Sequence, residues 1–381
     1  MSRPFAPLRP PVSQPARVIR PRIEPGRRVV AVSDIHGNLP FLKGLLDAVR
    51  FSPADVLILV GDLLEKGRDS LATLRYVMEL GRTHTVYPLC GNCDHIDQTF
   101  LSGPGMDEAL WPVLSQFWRE RSVLLQMGAE LGLAPRRQSD LPALRAALLE
   151  HFPRETGFLL SLPTILEAGN FLFVHGGVPR EDDLEGLDAY ECMKNDDFRG
   201  QGRSFRKWVV VGHWPVTLYR EDIPSSAPII DRERKIISID GACVLKVDGQ
   251  LNALMLPSEE SEDFAWTAWD GLPEARALDG QPASEHSLNI RWGRSALELL
   301  EEGEELSLCR HLETGRQIYI LNAYLRRDPE KGLWCEDSTD YCLPVEAGEV
   351  LTVVRRTKTG ALCKKNGVTG WYFGRLSENL M

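Results

Sequence analysis

Five short polar clusters in this chain carry residue types suited to metal-assisted chemistry. In order they are Asp34-Ile35-His36-Gly37-Asn38, Gly61-Asp62, Gly91-Asn92-Cys93-Asp94, His175-Gly176-Gly177 and Gly212-His213. Two carboxylates, three imidazoles and an amide oxygen are the donors that two adjacent divalent cations take. The glycines beside them permit tight turns and close backbone approach. Any one of these pairs alone is usually a capped turn. Five in sequence, each following an apolar run, point to one site.

The apolar runs are the elements that must position these residues. Residues 29–33, 55–60 and 85–89 read as short buried strands. Between them, Leu42, Leu45, Leu46 and Val49 recur at helical spacing, and residues 70–80 form a second helical stretch. Residues 106–165 lack strand patterns and read as helical. Strands resume at 171–174, 208–211, 236–239 and 250–256. This alternation predicts an α/β sheet built from crossover units, with the polar clusters converging at the carboxyl ends of its strands.

The order and neighbours of the clusters resemble those of the calcineurin-like metallophosphoesterases. The closing His-Gly-Gly and Gly-His pairs are similar to those of the PPP-type serine/threonine phosphatases. The resemblance covers residues 29–257. It implies an α/β (α+β sandwich-type) four-layer domain with a helical insertion at about 106–165. It also implies Asp34, His36 and Asp62 at one metal and Asp62, Asn92, His175 and His213 at a second, with Asp62 bridging. The implied mechanism is in-line attack on phosphorus by a metal-bridging hydroxide, with Asn92 and the cations holding the nonbridging oxygens. Two divalent ions are the expected cofactor, manganese first, with iron and zinc also matching the donors.

Two positions depart from that family. Glu65-Lys66-Gly67 stands where the family has Asp-Arg-Gly, so a bidentate phosphate contact becomes a point-charge contact from Lys66. Cys93 stands where the family has the histidine that protonates the leaving group, and is followed by Asp94 and His95. With Asn92 and Lys66, Cys93 and Asp94 complete the catalytic candidates. A thiol of pKa ~8.5 is a poorer general acid near neutrality. Leaving groups of low pKa, such as aryl esters and phosphoanhydrides, are therefore the expected good substrates. A redox reading of Cys90-x-x-Cys93 has no thioredoxin-like surroundings to support it.

Beyond this domain, residues 1–28 alternate proline and arginine and read as an extended arm, and the acidic stretch 258–288 reads as a linker. The segment 300–310 overlays 345–355 at a 45-residue offset, and both copies run on to a Thr-Gly pair and an aromatic strand. These copies resemble bacterial Src-homology-3-like repeats. They are expected as small all-β barrels at 289–340 and 341–381, with Trp371 and Tyr372 as candidates to bind a peptide or protein partner.

The chain has 381 residues, 43% hydrophobic and 26% charged, with a net charge of −10. That is the composition of a folded multidomain protein, and its acidity argues against a nucleic-acid partner. No apolar run approaches the ~18 residues of a membrane helix, so no membrane association is expected. The eight cysteines are scattered rather than paired in a framework, which points to reduced thiols and a cytoplasmic setting. The leading expectation is a protein phosphatase acting on phosphoserine or phosphothreonine. A second is hydrolysis of dinucleoside polyphosphates or another small phosphodiester, and a phosphopeptide compared with diadenosine tetraphosphate separates the two. The third is a degenerate metal domain acting through its C-terminal repeats, for which lack of metal binding would be the sign.

Overall fold

A computed structural model describes residues 13–329 and 332–378. The first unit contains strands β1 (Val18–Ile19), β2 (Val29–Val32), β3 (Val56–Leu59), β4 (Thr85–Pro88), β5 (Ile165–Ala168), β6 (Phe171–Val174), β7 (Trp208–Val211), β8 (Ile229–Asp231), β9 (Ile236–Ser238), β10 (Leu251–Leu256) and β11 (Ala265–Trp269). They form a five-stranded sheet, β11-β10-β2-β3-β4, and a six-stranded sheet, β1-β5-β6-β7-β9-β8. Strands β2, β3 and β4 are mutually parallel, as are β6, β7 and β9.

Strand alternation explains how these sheets stack. Val29, Ala31, Val56 and Ile58 face Phe171, Phe173 and Val210 of the other sheet in a central core. Val30, Val32, Leu57 and Leu59 point the opposite way, toward helices α1 (Leu39–Ala48) and α2 (Ser70–Leu80). Leu172, Val174, Val209 and Val211 cover the outer face of the second sheet with Leu184, Leu187 and Phe198. Strands β2, β3, β6 and β7 are buried on both faces, so each reads as an unbroken apolar run. The result is the four-layer α/β metallophosphoesterase fold. Helix α3 (Asn92–Ser102) follows β4, and the stretch up to Ser161 is helical, including a π-helical turn at Val113–Trp118.

The C-terminal unit is all β. It comprises β12 (Glu274–Arg276), β13 (Asn289–Ile290), β14 (Ala296–Glu301), β15 (Leu306–His311), β16 (Gln317–Leu321), β17 (Leu325–Asp328), β18 (Gly332–Cys335), β19 (Ser338–Thr339), β20 (Val350–Arg356), β21 (Ala361–Lys365) and β22 (Val368–Tyr372). A five-stranded sheet, β16-β15-β14-β18-β17, packs beside a four-stranded one, β12-β20-β21-β22. The hairpins β15–β16 and β20–β21 occupy the positions that the 45-residue repeat superimposes.

Three expectations need correction. Residues 258–288 are not a free linker, because β11 extends the first unit's five-stranded sheet while β12 extends the last sheet of the chain. In the expected arm, residues 1–12 lie outside the described residues, and the rest is docked. There β1 pairs with β5, Arg17 donates to the carbonyls of Leu160 and Ser161, and Arg28 holds Asp55 at 2.8 Å. Trp371 and Tyr372 are buried rather than presented to a partner. Being adjacent in β22, they point to opposite faces, and both faces are covered. Trp371 enters the core of the five-stranded sheet and Tyr372 that of its own. Their polar tips are satisfied internally, Trp371 Nε1 by the Thr339 carbonyl and Tyr372 OH by the Asp279 carbonyl.

The two units share a polar junction. Lys364 reaches Asp270 at 3.2 Å and donates to the Asp248 carbonyl at 2.7 Å, while Lys246 lies 3.5 Å from both Asp248 and Asp337. Asn289 donates to the carbonyls of Thr217 and Arg220, tying β13 to the segment that follows His213.

Candidate metal centre

The candidate ligands all lie just beyond strand ends. Asp34 and His36 follow β2, Asp62 follows β3, His175 follows β6, His213 follows β7, and Asn92 opens α3. Asp34, His36, Asp62 and His213 have φ of 54°, 51°, 49° and 66°. The left-handed region is costly for residues with a Cβ, and four such residues from three different loops meet at one place. Strain concentrated in this way marks a functional site. Two glycines let the loops close on each other. A Cβ on Gly91 would lie 2.1 Å from the Asp62 nitrogen, and one on Gly61, at φ 79°, would lie 2.7 Å from the Gly91 nitrogen.

Asp62 is the centre of the cluster. Its Oδ2 is 3.7 Å from His36 Nε2, and its Oδ1 is 3.4 Å from His175 Nε2 and accepts the Cys93 N–H at 2.8 Å. Asp34 Oδ1 is 3.8 Å from His36 Nε2, and Asp34 Oδ2 accepts the His213 N–H at 3.0 Å. Asn92 Oδ1 lies 3.3 Å from His175 Nε2. His175 Nδ1 is 2.9 Å from the Val60 carbonyl and His36 Nδ1 is 3.4 Å from the Leu64 carbonyl, an arrangement that turns both Nε2 atoms inward. The rings of His175 and His213 are 5.2 Å apart.

The electrostatics follow from this burial. Burial raises the pKa of Asp34 to about 6, with His175 opposing and Asp62 reinforcing the shift. For Asp62, burial works the same way, but His175, His36 and Lys66 outweigh it and hold the carboxyl well below its usual range. His36 is lowered to about 3, by burial first and then by Lys66. His175 is raised to about 9, because Asp62 and Asp34 overcome burial.

Donor atoms of Asp34, Asp62 and His175 lie within 4.8 Å of one another, as do those of His36, Asp62 and Cys93, so Asp62 belongs to both groups. Asp240, just beyond β9, adds a third buried carboxylate whose Oδ2 has no hydrogen-bond partner. The Asp240 pKa is pushed well up by burial and by the Asp34 charge. Buried carboxylates and inward-facing imidazoles arranged around one shared aspartate fit a pair of divalent cations.

The remaining predicted residues divide. Lys66 reaches the cluster, its Nζ 3.1 Å from His36 Nε2 and 3.9 Å from Asp62 Oδ2. Cys93 is buried against it, and burial, followed by the Asp62 charge, pushes its thiol well above the usual pKa. The His213 ring is not among the tight ligand groups; its Nε2 lies 2.8 Å from Asp196 Oδ1 and 3.0 Å from Lys194 Nζ. Asp94 does not face the reaction space. Its carboxylate is fully buried and accepts backbone N–H groups from Leu63, Leu64 and Gly91, at 3.1, 3.2 and 2.9 Å. It is a positioning residue that joins the loop carrying Asp62 to the start of α3.

Lys194, Asp196 and Asp240 escaped the sequence reading. Asp240 had a usable signal, since it follows an apolar strand as the other ligands do. Lys194 and Asp196 lie in a loop with no distinguishing pattern. A cavity of about 460 Å³ opens from Lys66, Asn92, Cys93 and His213. Its opposite wall includes Trp292 and Trp334 of the C-terminal unit.

The chain belongs to the calcineurin-like phosphoesterase family, whose model matches residues 27–235. The family implies a metal-dependent phosphoester hydrolase with a dinuclear divalent centre. Among curated relatives, it is 56% identical over 187 residues to a symmetrical bis(5'-nucleosyl)-tetraphosphatase of Aeromonas salmonicida, covering 43% of this chain and 63% of that protein. It is 35% identical over 193 residues to the protein of the same name from Pectobacterium atrosepticum, covering 43% and 62%. The matched region thus spans less than two thirds of either relative. Among solved structures, a cold-active protein-tyrosine phosphatase of a psychrophilic Shewanella species aligns at 16% identity and a TM-score of 0.42, covering 68% of this chain and 83% of that one.

Proposed function

We propose that this protein hydrolyses dinucleoside polyphosphates, cleaving a phosphoanhydride bond with the help of two divalent cations. The observation that carries the reading is the cavity of about 460 Å³ beside the Asp62 cluster, lined by Lys66, Asn92, Cys93 and His213. That volume suits a small molecule, whereas a phosphorylated loop of a folded protein needs an open groove. The name carried by the curated relatives points the same way, and the expectation of a protein phosphatase gives way to the second reading of the sequence.

Asp34, His36 and Asp62 would hold one cation, and Asp62, Asn92 and His175 the other, with His213 beside them. Bound there, the cations supply Lewis acidity to the phosphate oxygens and lower the pKa of water. The chain's own residues do the rest. Lys66 and Lys194 bring ammonium charge to the polyphosphate, and Asn92 offers an amide to an oxygen that gains charge. A nucleoside polyphosphate leaves as a stable anion and asks little of a general acid, which suits a site with Cys93 in the position of the family's histidine. Carboxylate, imidazole and amide donors accept manganese, iron or zinc, and manganese is the working choice. Eight free thiols suit a reducing compartment, so we place the enzyme in the cytoplasm.

The test compares kcat/KM for diadenosine tetraphosphate, an aryl phosphate monoester and a phosphoserine peptide under one concentration of Mn(II). Preference for the dinucleotide by at least about tenfold, a difference of about 1.4 kcal/mol in transition-state stabilisation, supports the reading. Preference for the phosphopeptide overturns it.

A further inference from the structure

The phosphate chemistry accounts for only one side of the cavity. The far side is aromatic, formed by Trp214 of the first unit with Trp292 and Trp334 of the C-terminal unit. Trp214 and Trp292 meet edge to face, ring centroids 6.2 Å apart at 77°. Trp292 remains 41% exposed, unusual for a residue held so firmly on both sides. It lies between β13 and β14, where Asn289 is tied to the Thr217 and Arg220 carbonyls and Arg291 pairs with Glu221 at 2.7 Å. The turn is therefore fixed to the segment leaving His213, and the exposed ring faces the cavity. Ser295 and Glu336 place polar acceptors on the same wall.

We propose that the C-terminal β unit is part of the substrate site, and that Trp292, with Trp214 and Trp334, binds the nucleobase of a nucleotide whose phosphates reach the Asp62 cluster. A rigid, half-exposed indole presents a π-face to a planar base, and such stacking tolerates any base while still contributing to affinity. The cavity is continuous from Asn92 to Trp292, so one molecule can occupy both ends. This inference rests on the dinucleoside polyphosphate reading and deepens it. It gives the C-terminal unit a role in specificity, whereas the sequence had suggested peptide binding.

The test is calorimetric titration of the full-length chain with AMP and with ribose 5-phosphate, which carries the phosphate but no base. Diadenosine tetraphosphate hydrolysis is measured in parallel. The wild-type protein is expected to bind AMP about 5-fold or more tightly than ribose 5-phosphate. Trp292→Ala removes that preference, and Trp292→Phe retains most of it. Because Trp292 is half-exposed, its truncation opens no core. Equal binding of the two ligands by the wild-type chain, or a preference that survives Trp292→Ala, overturns the proposal. If the preference depends on Trp292 while diadenosine tetraphosphate is not cleaved, the base-binding wall stands and the proposed activity falls. If cleavage occurs without a base preference, the activity stands and this inference falls.

Discussion

Replacing Asp94 separates a positioning role from a catalytic one. Its carboxylate accepts N–H groups from Leu63, Leu64 and Gly91 in a fully buried pocket. Asp94→Ala leaves these three donors without partners. At the lower end of the cost for a buried unsatisfied group, about 1 kcal/mol each, the loss is about 3 kcal/mol. For a unit of this size that lowers the thermal midpoint by about 6–12 °C. Asp94→Asn keeps one acceptor oxygen and should lose roughly half as much. The assay is differential scanning calorimetry of the wild type and both variants, alongside kcat on diadenosine tetraphosphate. A midpoint within about 2 °C of wild type for Asp94→Ala, combined with lost turnover, would refute the assignment and return Asp94 to the catalytic groups.

Three further perturbations follow from the geometry. Gly91→Ala forces a Cβ to within 2.1 Å of the Asp62 nitrogen, which is backbone and cannot swing aside. Displacement of Asp62 should cost about 10²-fold in kcat/KM, and activity within threefold of wild type would contradict the close approach. Lys364→Ala removes a buried ammonium that pairs with the half-buried Asp270 and bonds the Asp248 carbonyl, and should cost about 3 kcal/mol. Limited proteolysis should then cut more readily within 258–264, and an unchanged digestion rate would count against the junction. Arg28 hydrogen-bonds Asp55 and holds its carboxyl below the usual range, against burial. The stability this contributes is complete above the unfolded carboxyl's pKa of about 3.9 and fades as pH falls through the lower folded value. Wild type and Arg28→Ala should therefore differ in urea midpoint near pH 6 and converge in strong acid; a gap that stays constant with pH would show that the pair contributes through packing alone.

The parts of the centre legible in the sequence are those with local signatures. Asp34 and His36, Gly61 and Asp62, and Gly212 and His213 each sit within three residues of one another behind an apolar strand, so type and position could be read together. What the sequence concealed depends on long-range contacts. The direction of Asp94 is set by donors on a loop thirty residues earlier. The burial of Trp371 and Tyr372 depends on a sheet covered on both faces, although their strand itself was legible from alternation. The acidic composition of 258–263 hid the strand at 265–269, whose edge position tolerates half-buried tryptophans. Trp292 and Trp334, 79 and 121 residues beyond His213, the last predicted ligand, reach the cavity only through the packing of the two units.

The most direct test of the central claim is the product profile of diadenosine tetraphosphate incubated with the full-length protein, with and without added Mn(II), with the Asp62→Asn variant in parallel. The account predicts mononucleotide release, formed only with the cation and lost in the variant. No nucleotide release under conditions in which a phosphopeptide is dephosphorylated, or nucleotide release that survives Asp62→Asn, would contradict it.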